Sequence, residues 1–314
     1  MINIIMITAL GALVLARAPV ALRRPEARPA WLASLLGVLG LLSIGVLIPI
    51  PVADSWLGGT NILHLFRTAL PVAAFWFLRD AVALQVGRPP RRGGLLILGA
   101  MLATQAMVFF QIPSRGPSSA EFVDEHMVYV EGFAWAVLYV GQIIWIALTM
   151  VVMLLPMRKG IYATFIIGGF AAIGGGVALV IHCGLILAGA QIPGAGGIPW
   201  ALFNGLFYPG LLTIVLGFVT ITLRDVYRVA SWRVARYRLA RALSGYEGQD
   251  ATRFASAEMG SFAGNPIFGA YRAAIQLRDL ESLDGVSLNP RDARLLAAVE
   301  HRMSASHLAM GRSQ

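Results

Sequence analysis

Hydrophobic positions in this chain seldom alternate with polar ones; they run on. Seven mostly apolar stretches, near 2–16, 31–51, 61–78, 94–112, 128–155, 161–190 and 200–223, are separated by short patches that hold nearly all the charge of the first 223 residues. A hydrocarbon core about 30 Å thick takes about 20 helical residues to cross. A segment in lipid must also satisfy its own backbone hydrogen bonds, which a helix does. The pattern predicts an all-α, polytopic membrane protein with seven transmembrane helices. The first stretch is the shortest, reaching only to Arg17. With no charged residue before it and a poor cleavage sequence at Ala16-Arg17-Ala18, it is expected to be a retained helix rather than a removed leader.

The pattern changes after residue 223. The expected organisation is a seven-helix bundle over 1–223, a basic juxtamembrane helix over 224–243, a small polar linker over 244–264 and a helical hairpin over 265–314. Asn265-Pro266 and Asn289-Pro290 each offer a capping side chain followed by proline at the first helical position. One expected face stacks Ile267, Tyr271, Ala274 and Ile275, and another Leu295, Leu296, Val299 and Met303. A hairpin this small buries little core alone. It is expected to dock on the bundle, on a second copy in a homo-oligomer, or on a cytoplasmic protein.

Composition agrees with the pattern: 57% of residues are hydrophobic and 13% charged, against about 25% charged in soluble domains. Of 25 basic residues only Lys159 is a lysine, a bias that suggests a GC-rich bacterial genome. Short connections show which way the spans point, because basic residues are retained on the cytoplasmic side. Loops 17–30, 79–93 and 156–160 hold ten basic residues, whereas loops 52–60, 113–127 and 191–199 hold only Arg115. The N-terminus is therefore expected outside and the tail in the cytoplasm of a bacterial plasma membrane. Trp31, Trp56, Tyr129 and Trp200 lie at span ends, as interfacial aromatics do.

Two ionisable residues stand within the third span, His64 and Arg67, one helical turn apart on one face. Such a stripe should face protein or water, and intramembrane ionisable residues are candidates for function. One reading is a structural ion pair, with Glu131, Asp54, Gln142, His182 or Asn204 as partners. The other is an anion site on Arg67, with His64 tuning it or sensing pH near its ordinary pKa of about 6.5. Asn204, Tyr208 and Pro209 in the last span mark a second candidate, since proline frees a carbonyl and cavities lie beside such breaks. Pro71 does the same one turn past Arg67. The sixth span places Gly168, Ala172 and Gly176 four residues apart, a face for close helix packing, with a hinge or a thin cavity wall as the alternative.

Lone Cys183 excludes a disulfide framework and a cysteine metal cluster, and His64 with His182 makes no specific haem or metal signal. No metal or cofactor is expected. The acids Glu121, Asp124 and Glu125 beside His126 lack the alternating spacing of a calcium loop and are expected to be solvated. No lysine lies in a span, which excludes a retinal Schiff base, and no hydrolase or phosphate-loop motif nominates an enzyme.

The tail opens with Arg224, Arg228, Arg233, Arg236, Arg238 and Arg241 against one aspartate, and Tyr227, Ala230, Val234 and Tyr237 share a face at helical spacing. Such a cluster attracts anionic lipid at about 1 kcal/mol per arginine near the surface. Nucleic acid ranks behind lipid because no nucleic-acid-binding fold motif accompanies the charge. The segment Tyr271-Arg272-Ala273-Ala274-Ile275-Gln276-Leu277-Arg278-Asp279, behind seven spans, resembles the tail of an actinobacterial family of seven-helix integral membrane proteins of unsettled function, described as transporters or membrane regulators. Gln276 stands where that family has an acid. The resemblance implies the same layout and brings no catalytic residues. The expected function is a sensor or regulatory scaffold that couples an outward-facing polar site at His64, Arg67, Glu131, His182, Asn204 and Tyr208 to the tail. A small-molecule transporter is the alternative, and a structural subunit of a larger membrane complex the second.

Overall fold

The computed structural model describes residues 2–46, 48–88, 93–113, 115–116, 118, 122–157, 160–190, 197–246, 266–283 and 287–311, and every regular element among them is a helix. The chain divides into two compact units, Met1–Ile221 and Thr222–Gln314. In order the helices are α1 (Ile2–Arg23), α2 (Arg28–Leu41), α3 (Ile50–Ser55), α4 (Ile62–Gln85), α5 (Gly94–Gln111), α6 (Phe122–His126), α7 (Val130–Leu154), α8 (Tyr162–Leu187), α9 (Gly197–Tyr246), α10 (Pro266–Leu283) and α11 (Pro290–Gly311). Helices α1, α4, α5, α7, α8 and α9, and the helical stretch Pro25–Gly45 that contains α2, are each long and apolar enough to cross a membrane. The protein is a multi-pass integral membrane protein.

Three span ends differ from the sequence expectation, and one of them is α4, which runs past 78 to Gln85. Helix α1 continues past residue 16, through Pro19, to Arg23, because a helix outlasts its apolar run until the backbone is turned. Arg24 is extended, at φ −124° and ψ 111°, as the residue before Pro25 is forced to be. The second expected stretch, 31–51, does not run through. A π-type turn over Leu42–Val46 ends it, with Gly45 at φ 90°. A Cβ on Gly45 would stand 2.8 Å from Ile50 Cγ1, so only glycine fits that turn.

In the first unit, α2 packs between α1 and α4, and α7 between α4, α5 and α8. The glycine-rich face of α8 approaches its neighbours closely. A Cβ on Gly168 would meet Gly210 O and Ile214 of α9 at 2.7 Å, and one on Gly169 would meet Val151 of α7 at 2.6 Å. Ala172 is fully buried. This is the packing that the small-residue spacing predicts.

The second unit is built from the last third of α9 with α10 and α11. Its core joins Trp232, Leu239, Leu243, Ala270, Leu277, Leu296 and Val299. The hairpin thus covers its apolar side with α9. Two expected faces are displaced: Tyr227, Val234 and Tyr237 are exposed on α9, as are Ile267, Tyr271 and Ile275 on α10. Ala274 of the expected α10 face is buried, and the other buried positions are Ala235, Ala242, Ala270 and Ala273 with Leu239 and Leu277, because small side chains let helix backbones come close while bulky rings hold them apart. On α11 the expected face is the packed one. Asn289 caps α11, its Oδ1 accepting the N–H groups of Arg291 and Asp292 at 2.9 Å. The matching cap at Asn265 and the linker beyond Tyr246 lie outside the described residues, while 244–246 are helical.

Candidate functional site

Helix α4 places His64, Arg67, Thr68, Pro71, Phe75 and Leu78 at helical spacing, and all six line one cavity of about 260 Å³. Helices α1, α2, α7, α8 and α9 complete the wall, with Leu10, Leu41, Tyr139, Gly176, Phe207 and Tyr208 among the liners. Polar groups are few. Spans joined by short loops alternate in direction, so α4 and α9 run the same way. His64, Arg67 and Thr68 on the first turns of α4 and Trp200 and Tyr208 on those of α9 therefore sit toward one end. Phe75, Leu78, Ile214 and Phe218 continue the wall deeper as hydrocarbon.

Arg67 has no carboxylate partner among the described residues, and its Nη1 is enclosed without a hydrogen bond. Arg79, near the other end of α4, shows the contrast. It pairs with Asp80 at 2.5 Å and lies 3.7 Å over the Trp76 ring. Proline at 71 has no N–H to give the carbonyl of Arg67, so that backbone oxygen also lacks its helical donor. His64 is 8% exposed and its Nδ1 is unpartnered. Its ring lies 4.2 Å from Phe122 and 5.3 Å from Trp135. Thr68 donates to Leu65 O at 2.9 Å and accepts from Gln105 Nε2 at 2.6 Å, which ties α5 to α4.

Beside the cavity, the loop expected to be a solvated acidic segment sends apolar side chains inward. Phe122 and Met127 are fully buried against Phe109, Trp135 and Cys183, and His126 stacks on Phe122 at 4.3 Å. Of its acids, Glu121 and the side chain of Asp124 lie outside the described residues, and Glu125 is exposed. The anchor of this end is Asp54, fully buried. Its carboxylate accepts the N–H groups of Asn61 at 3.3 Å, Leu63 at 3.2 Å and Ser118 at 2.8 Å. Asn61, in the left-handed region at φ 65°, accepts from Ser118 Oγ at 2.8 Å and donates to Arg115 O at 3.0 Å. Burial alone would raise the Asp54 carboxyl, but the donors from Ser118, Leu63 and Asn61 hold it below the ordinary carboxylate value.

Of the residues expected in the site, His64, Arg67 and Tyr208 share the cavity. The other three do not line it. Glu131 is exposed in the first turn of α7. His182 is buried one ring away, 5.2 Å from Trp200. Asn204 donates to Trp200 O within its own helix. Asp54 and Gln142, offered as partners for Arg67, bond elsewhere, Gln142 to Met101 O at 3.0 Å. Gly176 forms part of the cavity wall, as the alternative for the glycine face had it. Sequence reasoning missed Thr68, Tyr139 and Trp200 as liners and Gln105 as a tie. A glutamine in a lipid-spanning run such as α5 was the available signal.

The six basic residues of the tail's first helix are exposed, except Arg236, which is half-buried. The segment Tyr271–Asp279 falls on α10, where Ala273, Ala274 and Leu277 are core. No family model matches the chain, and no curated protein or solved structure matches it.

Proposed function

We propose that the chain is a sensor or regulatory scaffold of a bacterial plasma membrane, which reads an anionic group at Arg67 and passes the change to its helical tail. One observation carries this reading: a guanidinium faces an apolar cavity among the spans with no carboxylate among the described residues to neutralise it. A charge held in such a medium is costly unless it is paired. Bound anion is the missing counter-charge, with the hydroxyls of Tyr139 and Tyr208 on the same wall to orient it. Helix α9 supports the coupling, since it carries Phe207 and Tyr208 of the cavity and Trp232 and Leu239 of the second unit's core. The arginine asymmetry of the loops supports an N-terminus outside and a cytoplasmic tail. There the exposed Arg224, Arg228, Arg233, Arg238 and Arg241 attract anionic lipid. The exposed Phe268 and Tyr271 of α10 suit a cytoplasmic protein partner or a second copy.

The test is amide hydrogen exchange on the full chain in nanodiscs, before and after a total bacterial lipid and metabolite extract is added. The expected outcome is altered exchange across 224–246 in the wild type and none in Arg67→Leu, with the variant folded by size exclusion. An identical response in both proteins would remove Arg67 as the sensing group. Gradient-driven accumulation of an anion in proteoliposomes would replace sensing with transport.

A further inference from the structure

We infer that the cavity takes a single-chain anionic amphiphile, a carboxylate or phosphate head on Arg67 with its hydrocarbon chain laid along the apolar wall. This rests on Arg67 being the anion site of the previous section and goes further by naming the ligand class.

The argument comes from how polarity is distributed along one cavity. The cationic head, the unpartnered His64 Nδ1 and the Tyr208 hydroxyl belong to the first turns of α4 and α9. The wall beyond them is Phe75, Leu78, Leu211, Ile214 and Phe218. Ser34, the polar side chain on the α2 wall, spends its hydroxyl on Ala30 O at 3.0 Å. A small hydrophilic anion would satisfy Arg67 and leave that wall facing empty space or poorly bonded water, because water in a cavity needs two to four polar partners. A neutral hydrocarbon would fill the wall and leave Arg67 uncompensated. Only a molecule with both parts matches both ends.

Size gives the chain length. An engineered apolar cavity of about 150 Å³ takes up benzene, and each water-sized group claims about 30 Å³. The 260 Å³ here therefore accommodates on the order of ten heavy atoms, the size of octanoate. Two heads share this chemistry, a fatty carboxylate and an alkyl phosphate. The test treats them as separate arms.

The experiment is equilibrium binding to the full chain in nanodiscs of neutral lipid, with octanoate, octyl phosphate, octanol, acetate and inorganic phosphate as probes. Saturable, one-to-one binding is expected for octanoate or octyl phosphate, and the tighter of the two identifies the head group. Arg67→Gln should weaken it at least tenfold and Arg67→Lys less. Leu211→Trp, which fills the apolar part and spares the cation, should weaken octanoate at least tenfold, and it keeps the test open if Arg67→Gln does not fold. Octanol binding as tightly as octanoate would overturn the inference. So would acetate or inorganic phosphate binding at Arg67 as tightly as their octyl forms, which would leave the anion-sensing function standing with a small hydrophilic ligand. Absence of any binding that depends on Arg67 would overturn both.

Discussion

Asp54 and Arg67 carry opposite charges close together in sequence, and yet they do not pair. Asp54 spends its oxygens on three backbone N–H groups that converge from Asn61, Leu63 and Ser118. It thereby joins the start of α4 to a loop far along the chain. A carboxylate so bonded has a lowered pKa, so its stabilisation is fully present above the unfolded value of about 4 and is lost as pH falls through the lower folded value. Thermal unfolding in detergent from pH 3 to 7 should show a steeper loss of stability below pH 4 in the wild type than in Asp54→Asn. At pH 7 Asp54→Ala should cost roughly 3 kcal/mol, since it leaves buried donors without an acceptor. Equal profiles in wild type and variant would mean that Asp54 does not pin this end. The residue types were legible in advance, and so was the stripe of His64 and Arg67. Their partners were not, because Ser118 reaches Asp54 only through the path of the folded loop.

Among the helices, periodicity predicted that faces exist more reliably than which face packs. In α9 helical spacing points to Tyr227, Val234 and Tyr237 as the seam, whereas the buried one is Trp232, Ala235, Leu239 and Ala242. The seam is rich in alanine, which lets the three helix backbones approach, so side-chain size and not hydrophobicity alone selects the face that packs. The distinction is testable. Leu239 is fully buried and Tyr237 is 67% exposed. Leu239→Asp should open the three-helix unit, at a cost of about 4 kcal/mol or more for an unpaired buried charge. Tyr237→Asp should stay within about 0.5 kcal/mol. Amide exchange over 266–283 reads the difference, and equal protection in both variants would refute the assigned core. The glycine face of α8 was legible for the opposite reason. Gly168 and Ala172 mark where the α8 backbone meets that of Gly210, Gly176 takes in the side chains of Val140 and Ile144, and the need for small residues does not depend on which neighbour arrives.

At the level of the whole molecule, the arginine bias makes one prediction that no contact can replace. Reporter fusions after Arg28, Arg88 and Arg224 should all report the cytoplasmic side, and one after Gly59 the outside. A C-terminal fusion reporting the outside would reverse the proposed sensing direction. The seven spans and the tail that follows them were determined by the sequence alone, because the lengths of apolar runs answer to one solvent, the bilayer, and to the helix rise per residue. Tertiary structure alone decided that Arg67 faces a cavity with no carboxylate partner among the described residues, that Asp54 turns away from it, and that Phe122 closes in beside His64. Each of these depends on residues brought together from separate helices, and a one-dimensional pattern of hydrophobicity carries no distance between them.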